Sequence, residues 1–370
     1  MPLQSPGRGQ AALNVFRIGA RFCNERVGWN RIGFLLSLAI IAIAAVALVH
    51  ILRGIKVHDV IAAMRRTHGD DLAWASVFVA GGYFTLTFYD LFALRTIGHR
   101  EIPYRVAMLA SFTSYAIGHN VGASVLTGGA VRYRIYSAWG LDAISVTKLC
   151  FVAGLTFWLG NATVLGLGIA YVPNAASAID QLPAWFNRGA AFAILMVLAS
   201  YIVWVWRRPR VIGRLGWKVT LPDGPLTLLQ IGIGIVDLAC CALAMYKLLP
   251  VEPNLGFVTL AVIFVAATLL GFASHAPGGI GVFDAAMLVA LWQYDAHKLL
   301  AGLLLFRLLY YVVPLLLSLL ILGGRELFLG LAGRLTVSPL PADGPALDRI
   351  AGEDSHSNPT CAEPTRPALK

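Results

Sequence analysis

Gly128 and Gly129, followed by Arg132 and Arg134, are the first residues here whose types and spacing could do chemistry. Glycine lets the backbone approach a ligand closely, and arginine presents a planar fork of donors that matches a phosphate. A lipid headgroup would fit that combination. The same arginines would also serve as anchors at the cytoplasmic leaflet, with Tyr133 and Tyr136 as interfacial belt residues. Pro277, Gly278, Gly279 and Gly281 form the second group, with Ser274 and His275 ahead of them and Asp284 behind. A half-helix starting near Gly281 would turn its positive end toward the bilayer midplane, where an anionic group is stabilised. Close helix packing through small residues is the competing reading. His275 is a candidate proton relay or a hydrogen-bonded structural residue. Ser114, His119 and Asn120 fall near a predicted hairpin tip and face the same choice.

Arg307 is the most telling single charge. It lies eight residues into the last apolar run, about 12 Å deep at 1.5 Å per residue. An unpaired arginine there costs on the order of 3 kcal/mol. Asp284, nine residues from Gln293 at the same outer face, sits at a similar depth. An Asp284–Arg307 pair facing the interior is therefore expected, with Asp237 as the reserve partner. Such a pair is either structural or sensitive to substrate charge and gating.

The elements that must hold these groups are membrane-spanning. The composition is 58% hydrophobic and only 13% charged, against roughly 25% charged in soluble domains. Apolar runs of about 20 residues, the length that crosses a bilayer core, use up most of the chain. The formal charge of +10 collects at the ends of those runs, which points to lipid headgroups and topology rather than to nucleic acid. The cysteines form no CxxC pair, so neither a zinc site nor a redox couple is indicated, and no cofactor is expected. HExxH, GxSxG and P-loop patterns are absent, so no enzyme constellation is expected.

In order, residues 1–31 form a basic cytoplasmic segment and 32–52 the first span. Val57, Val60, Ile61 and Met64 mark a short surface helix. A second span at 72–94 returns to the basic residues Arg95, Arg100 and Arg105. The apolar run 103–117 is short for a crossing and leads into the stretch rich in Gly, Ser and Thr that ends at Arg132. Basic residues on both sides make this a hairpin that enters from the cytoplasm and turns near 118–122. Spans follow at 148–171, 189–206 and 226–249, with an outer loop at 173–187 and a basic inner loop at 207–218. The run 255–273 breaks at SHAPGGIG and resumes at 281–293, and the last span is 299–322. Residues 326–370 read as a disordered cytoplasmic tail.

The predicted fold is an all-α integral membrane protein, with about six full transmembrane helices and two oppositely oriented re-entrant hairpins forming an inverted repeat. Both termini fall in the cytoplasm. Counting the glycine-rich segments as ordinary crossings would leave freed backbone groups without polar partners in lipid. Paired broken elements in two halves point to a transport site between them.

The stretches SFTSYAIGHNVGASVLTGGAVRYRIY, APGGIGVFDAAM and FRLLYYVVPLLL resemble the membrane region of the lysylphosphatidylglycerol synthase family. That region is the flippase-like half of the multiple peptide resistance factor. The resemblance covers most of residues 30–325, and its most specific elements are 128–136 and 277–284. It implies a flippase-like domain, 32–325, in a bacterial inner membrane, handling an anionic or aminoacylated phospholipid or another headgroup-bearing lipid. Bifunctional members carry a soluble aminoacyl-transferase domain after the membrane region. Here only the polar segment 326–370 follows, so the resemblance does not transfer synthase activity. A separate lipid synthase is an expected partner. An accessory or scaffold subunit of a lipid-synthesis pathway is the runner-up reading, and an intramembrane lipid transferase the third.

Overall fold

The computed structural model describes residues 67–122, 124–208, 210–213, 217–274 and 277–335. The expected segment 1–31, first span and surface helix lie outside these residues, as does the tail from 336. The chain divides into a compact unit, Met1–Phe328, and a second, Leu329–Lys370, of which residues 329–335 are helical.

The protein is a multi-pass, mostly helical membrane protein. Among the described residues, five helices are long and apolar enough to cross a bilayer. They are α1 (Gly69–Ile97), α4 (Ala143–Tyr171), α6 (Ala184–Arg207), α7 (Gly224–Leu248) and a continuous helix, Ala296–Arg325. The last comprises α10 (Ala296–Arg307), a π-helical turn at Leu308–Val312 and the start of α11 (Val313–Leu335). Between them lie the short helices α2 (Tyr104–Val121), α3 (Ser124–Tyr136), α5 (Pro173–Asp180), α8 (Phe257–Ala273) and α9 (Val282–Ala290).

The helix ends are written in the sequence. Asp142, Asp223 and Asp295 cap α4, α7 and α10, each accepting from the backbone N–H three residues on at 2.8–3.0 Å. This satisfies one of the donors a helix start leaves free. α1 stops at Gly98, whose φ of 97° closes the helix with the His99 N–H on the Leu94 carbonyl.

α7 is the central element. It runs antiparallel to α1, with Gly81 and Gly82 against Cys240 and Cys241, and parallel to α4, where Gly160 meets Gly234. A Cβ on Gly160 would lie 2.8 Å from the Gly234 Cα. These glycines bring backbones close, where packing rather than the hydrophobic effect holds helices together in lipid. α6, by contrast, is peripheral and presents Trp185, Met196 and Val197 outward.

Three expectations need correction. The outer loop 173–187 is mostly helical: it contains α5 and the first turn of α6, whose Asn187 Nδ2 donates to Asp180 Oδ1 at 3.1 Å. The basic loop after α6 forms a two-residue antiparallel ladder, Val211–Ile212 with Val219–Thr220, so the fold is not wholly helical. The final span, expected at 299–322 within an all-α fold, contains a π-helical turn beside Arg307.

Candidate functional site

Two helix–turn–helix pairs converge on the middle of the last span. In the first, α2 ends at Gly122, whose φ is 80°, and α3 folds back along it. Ser114 Oγ donates to the Gly128 carbonyl at 2.6 Å, tying the arms together. A Cβ on Gly128 would sit 2.9 Å from that hydroxyl, so only glycine fits without a shift. In the second, α8 gives way to a tight turn at Pro277–Gly279 before α9. Gly278 (φ 61°), Gly279 (φ 60°) and Gly281 (φ 83°) all adopt left-handed backbone that side chains other than glycine rarely tolerate.

The last span holds both turns. Arg307 Nη2 donates to Asp284 Oδ2 at 2.6 Å and Nε to Oδ1 at 2.9 Å, a bidentate pair. Nη1 also donates to the Gly278 carbonyl at 3.1 Å, with Nη2 3.5 Å from that of Gly279. The guanidinium, on a residue 6% exposed, thus satisfies carbonyls that the glycine turn has freed. One residue further on, the π-helical turn frees carbonyls of its own. Asn120 Nδ2 donates to that of Tyr311 at 3.1 Å, and Tyr83 Oη to that of Tyr310 at 3.0 Å. Asn120 joins the first turn to this segment as Arg307 joins the second.

Asp284 has a second task. Its Oδ2 accepts from the Gly281 N–H at 3.1 Å. The positive end of α9, read from sequence as a seat for an external anion, therefore faces the protein's own carboxylate.

Arg132 also departs from expectation. It is 5% exposed and makes three contacts of 2.7–3.1 Å with Asp90, which is fully buried on α1. Tyr136 Oη adds a fourth hydrogen bond at 2.9 Å. Tyr136 is accordingly core rather than belt, since a buried carboxylate needs donors for its lone pairs. Tyr115 stacks under the guanidinium, 4.6 Å from ring centroid to carbon. Arg132 is thus not an open fork for a headgroup. Asp90 was the missed partner, and its signal was an acid among apolar residues. Asp237 is not a reserve partner for Arg307: its Oδ2 accepts from Tyr89 at 3.0 Å.

The remaining candidates scatter. Gly129 packs α3 toward Cys150 on α4, and Arg134 is half-buried. Ser274 is exposed and donates to the Gly271 carbonyl at 2.7 Å. Pro277 is exposed, and His275 lies outside the described residues. His119 stacks on Tyr310 with centroids 5.9 Å apart and reaches Phe272 edge-on at 6.2 Å. No cluster of metal-ligating residues occurs among the described residues.

Between the two turns lies a cavity of about 530 Å³. Its walls are largely apolar and aromatic, including Phe157, Phe264, Phe272 and Phe306, with Asp237, His119 and Thr268 among the polar groups. Leu126 on α3 and Trp158 on α4 also line it and are 76% and 61% exposed, so the cavity is not sealed along this edge.

The chain is similar to known proteins over this region. It is 32% identical to an uncharacterized protein of Synechocystis sp. over 259 residues, 69% of this chain and 80% of that one. It is 33% identical to the inner membrane protein YbhN of Escherichia coli over 239 residues, 62% and 72% of the two chains. A phosphatidylglycerol lysyltransferase of Staphylococcus haemolyticus is 26% identical over 256 residues, but only 28% of that enzyme is covered. The match to the Staphylococcus aureus lysyltransferase, 23% identical over 290 residues, covers 33% of it. No family profile matches the chain.

Proposed function

Because this chain belongs to the family of bacterial inner-membrane proteins that includes YbhN, and is homologous to the membrane region of phosphatidylglycerol lysyltransferases, we propose that it is a lipid flippase. In this reading it moves a headgroup-bearing phospholipid between leaflets through the cavity at the two broken segments. The observation that carries the reading is the exposed, apolar edge of the cavity at Leu126 and Trp158. With that edge facing lipid, a headgroup enters while its acyl chains stay in the bilayer, which avoids transferring them to water at about 0.8 kcal/mol per CH₂.

The two helix–turn–helix pairs act as re-entrant hairpins from opposite faces, the elements of an inverted repeat. Six full spans, counting residues 32–52, then leave both termini in the cytoplasm, with 1–31 and 326–370 as flanking segments. Gly128, Gly129 and Arg134 guide the headgroup at the cytoplasmic mouth. Ser274, His275, Pro277, Gly278 and Gly279 form the opposite gate, braced by Asp284 and Arg307. Neither Arg132 nor Arg307 meets the headgroup in this state, since each guanidinium is engaged by an aspartate. Their role is to hold the two turns.

The full chain, purified and reconstituted in vesicles with fluorescent phosphatidylglycerol, tests this. An externally added membrane-impermeant quencher should reach more of the label than in protein-free vesicles. Arg307→Ala and Gly279→Leu should abolish the gain at normal expression. Quenching no greater than in empty vesicles refutes the reading. Similarity to the lysyltransferases supports a second reading, an accessory subunit for a separate lipid synthase, which predicts co-purification without translocation.

A further inference from the structure

Among the described residues, three aspartates lie in the helical core, Asp90 and Asp237 buried and Asp284 half-buried, and two of the three are matched by arginine: Asp90 by Arg132 and Asp284 by Arg307. The third, Asp237, is not. It sits midway along α7 on the cavity wall and is 4% exposed. Its Oδ2 accepts from Tyr89 at 3.0 Å, whereas its Oδ1 is buried without any hydrogen-bond partner.

Among the described residues, the surroundings offer no counter-charge. Facing Asp237 are Tyr83 and Tyr89 from α1, Tyr115 from α2, Tyr310 from the π-helical turn, and Cys240 and Cys241 from its own helix. All are neutral groups. From α4, Thr156 meets Gln230 of α7, and it does not titrate. His119 lines the same cavity with its Nδ1 likewise unpartnered. An ionised carboxylate held here by one phenol would cost several kcal/mol, and such a group relieves that cost by binding a proton. Oδ1, which no donor occupies, can take a proton without disturbing the Tyr89 bond to Oδ2. Elsewhere in membranes, ionisable residues facing a cavity mark proton or ion pathways.

We propose that Asp237 is a proton-carrying site, taking up a proton when the cavity faces one side of the membrane and releasing it when the cavity faces the other. This rests on the flippase reading and adds a driving force to it. The step is a proton transfer between water admitted to the cavity and Oδ1. No other bond forms or breaks. Tyr89 marks the ionised state, since its hydroxyl donates to Oδ2 and favours the charged form.

Two measurements test this separately from lipid movement. In infrared difference spectra of the full chain in lipid nanodiscs, a protonated-carboxyl band should persist at neutral pH and disappear in Asp237→Asn. Tyr89→Phe should shift the loss of that band to higher pH, because it removes a donor to the carboxylate. A band unchanged in Asp237→Asn, or a titration unmoved in Tyr89→Phe, overturns the proposal. So does a band that vanishes when sodium replaces potassium at constant pH, because the site would then bind a metal cation.

In vesicles carrying a pH gradient, wild-type lipid movement should depend on the gradient and Asp237→Asn should lose that dependence. Wild-type movement indifferent to the gradient overturns proton coupling and leaves the flippase reading intact. If no lipid moves at all, the flippase reading fails, coupling to lipid falls with it, and the infrared arm still decides the proton site.

Discussion

Removing one partner of the Asp90–Arg132 pair should destabilise the protein far more than removing both. Arg132→Met would leave Asp90, fully buried, with only the Tyr136 hydroxyl. Asp90→Leu would leave the Arg132 guanidinium with the Tyr115 ring at 4.6 Å and no carboxylate. Each single change strands a buried charge, at a cost of about 3–5 kcal/mol. The double change removes both charges, and buried pairs replaced by well-packed apolar residues are often neutral. The orphaned Tyr136 hydroxyl adds back about 1–3 kcal/mol. The double variant should therefore be at least as stable as either single one, giving a coupling energy of about 3 kcal/mol or more. Equilibrium unfolding of the purified protein in mixed detergent micelles, followed by tryptophan fluorescence, measures all four corners of the cycle. Single variants within about 1 kcal/mol of wild type would show a pair that behaves as if exposed. Additive losses would show that the two side chains do not act as a unit. Either result would refute the reasoning.

Arg307→Lys keeps the charge but loses the planar fork, so one ammonium cannot serve both Asp284 oxygens and the Gly278 carbonyl. Lipid movement in the vesicle assay should fall well below wild type, and full activity would sink the bracing role. Gly234→Val would drive a side chain into Gly160, whose Cα lies 2.8 Å from the first added carbon. A loss of about 1–3 kcal/mol is expected in the same unfolding assay, with Ser on the peripheral Gly189 as the neutral control. Asp142 sits at the membrane edge, where its hydrogen bonds from Ser145 hold its carboxyl below the ordinary value. Because its folded-state value is depressed, the stability it adds is present above the unfolded value near 4 and is lost as pH falls below it. Asp142→Ala should cost about 1 kcal/mol at neutral pH and progressively less in acid. A cost independent of pH would refute the assignment.

Helix positions were legible because hydropathy and length report directly on the bilayer. The five described spans correspond to apolar runs visible in the sequence. The aspartate caps are local, set by a side chain and a backbone donor three residues apart. The breaks were legible for the same reason. Gly122, Gly278, Gly279 and Gly281 adopt backbone that glycine alone favours, and composition shows this without any partner. A constant helical rise is enough to assign depth along one span, and so to put Asp284 and Arg307 at one level.

Pairing across the fold was less accessible. Asp90 and Arg132 lie 42 positions apart on different helices, and only their packing decides that Arg132 turns inward rather than toward headgroups. The same packing commits Tyr136 to the core. The π-helical turn at Leu308–Val312 left no clear mark in an apolar run, because it arises where Asn120 and Tyr83 reach in for carbonyls. By itself, then, the sequence determined what is local: which segments cross, where they break and which residues are too polar to face lipid. Tertiary structure decided which charges neutralise one another and which stands alone. A buried charge is settled by its neighbours in space, and those neighbours come from distant parts of the chain.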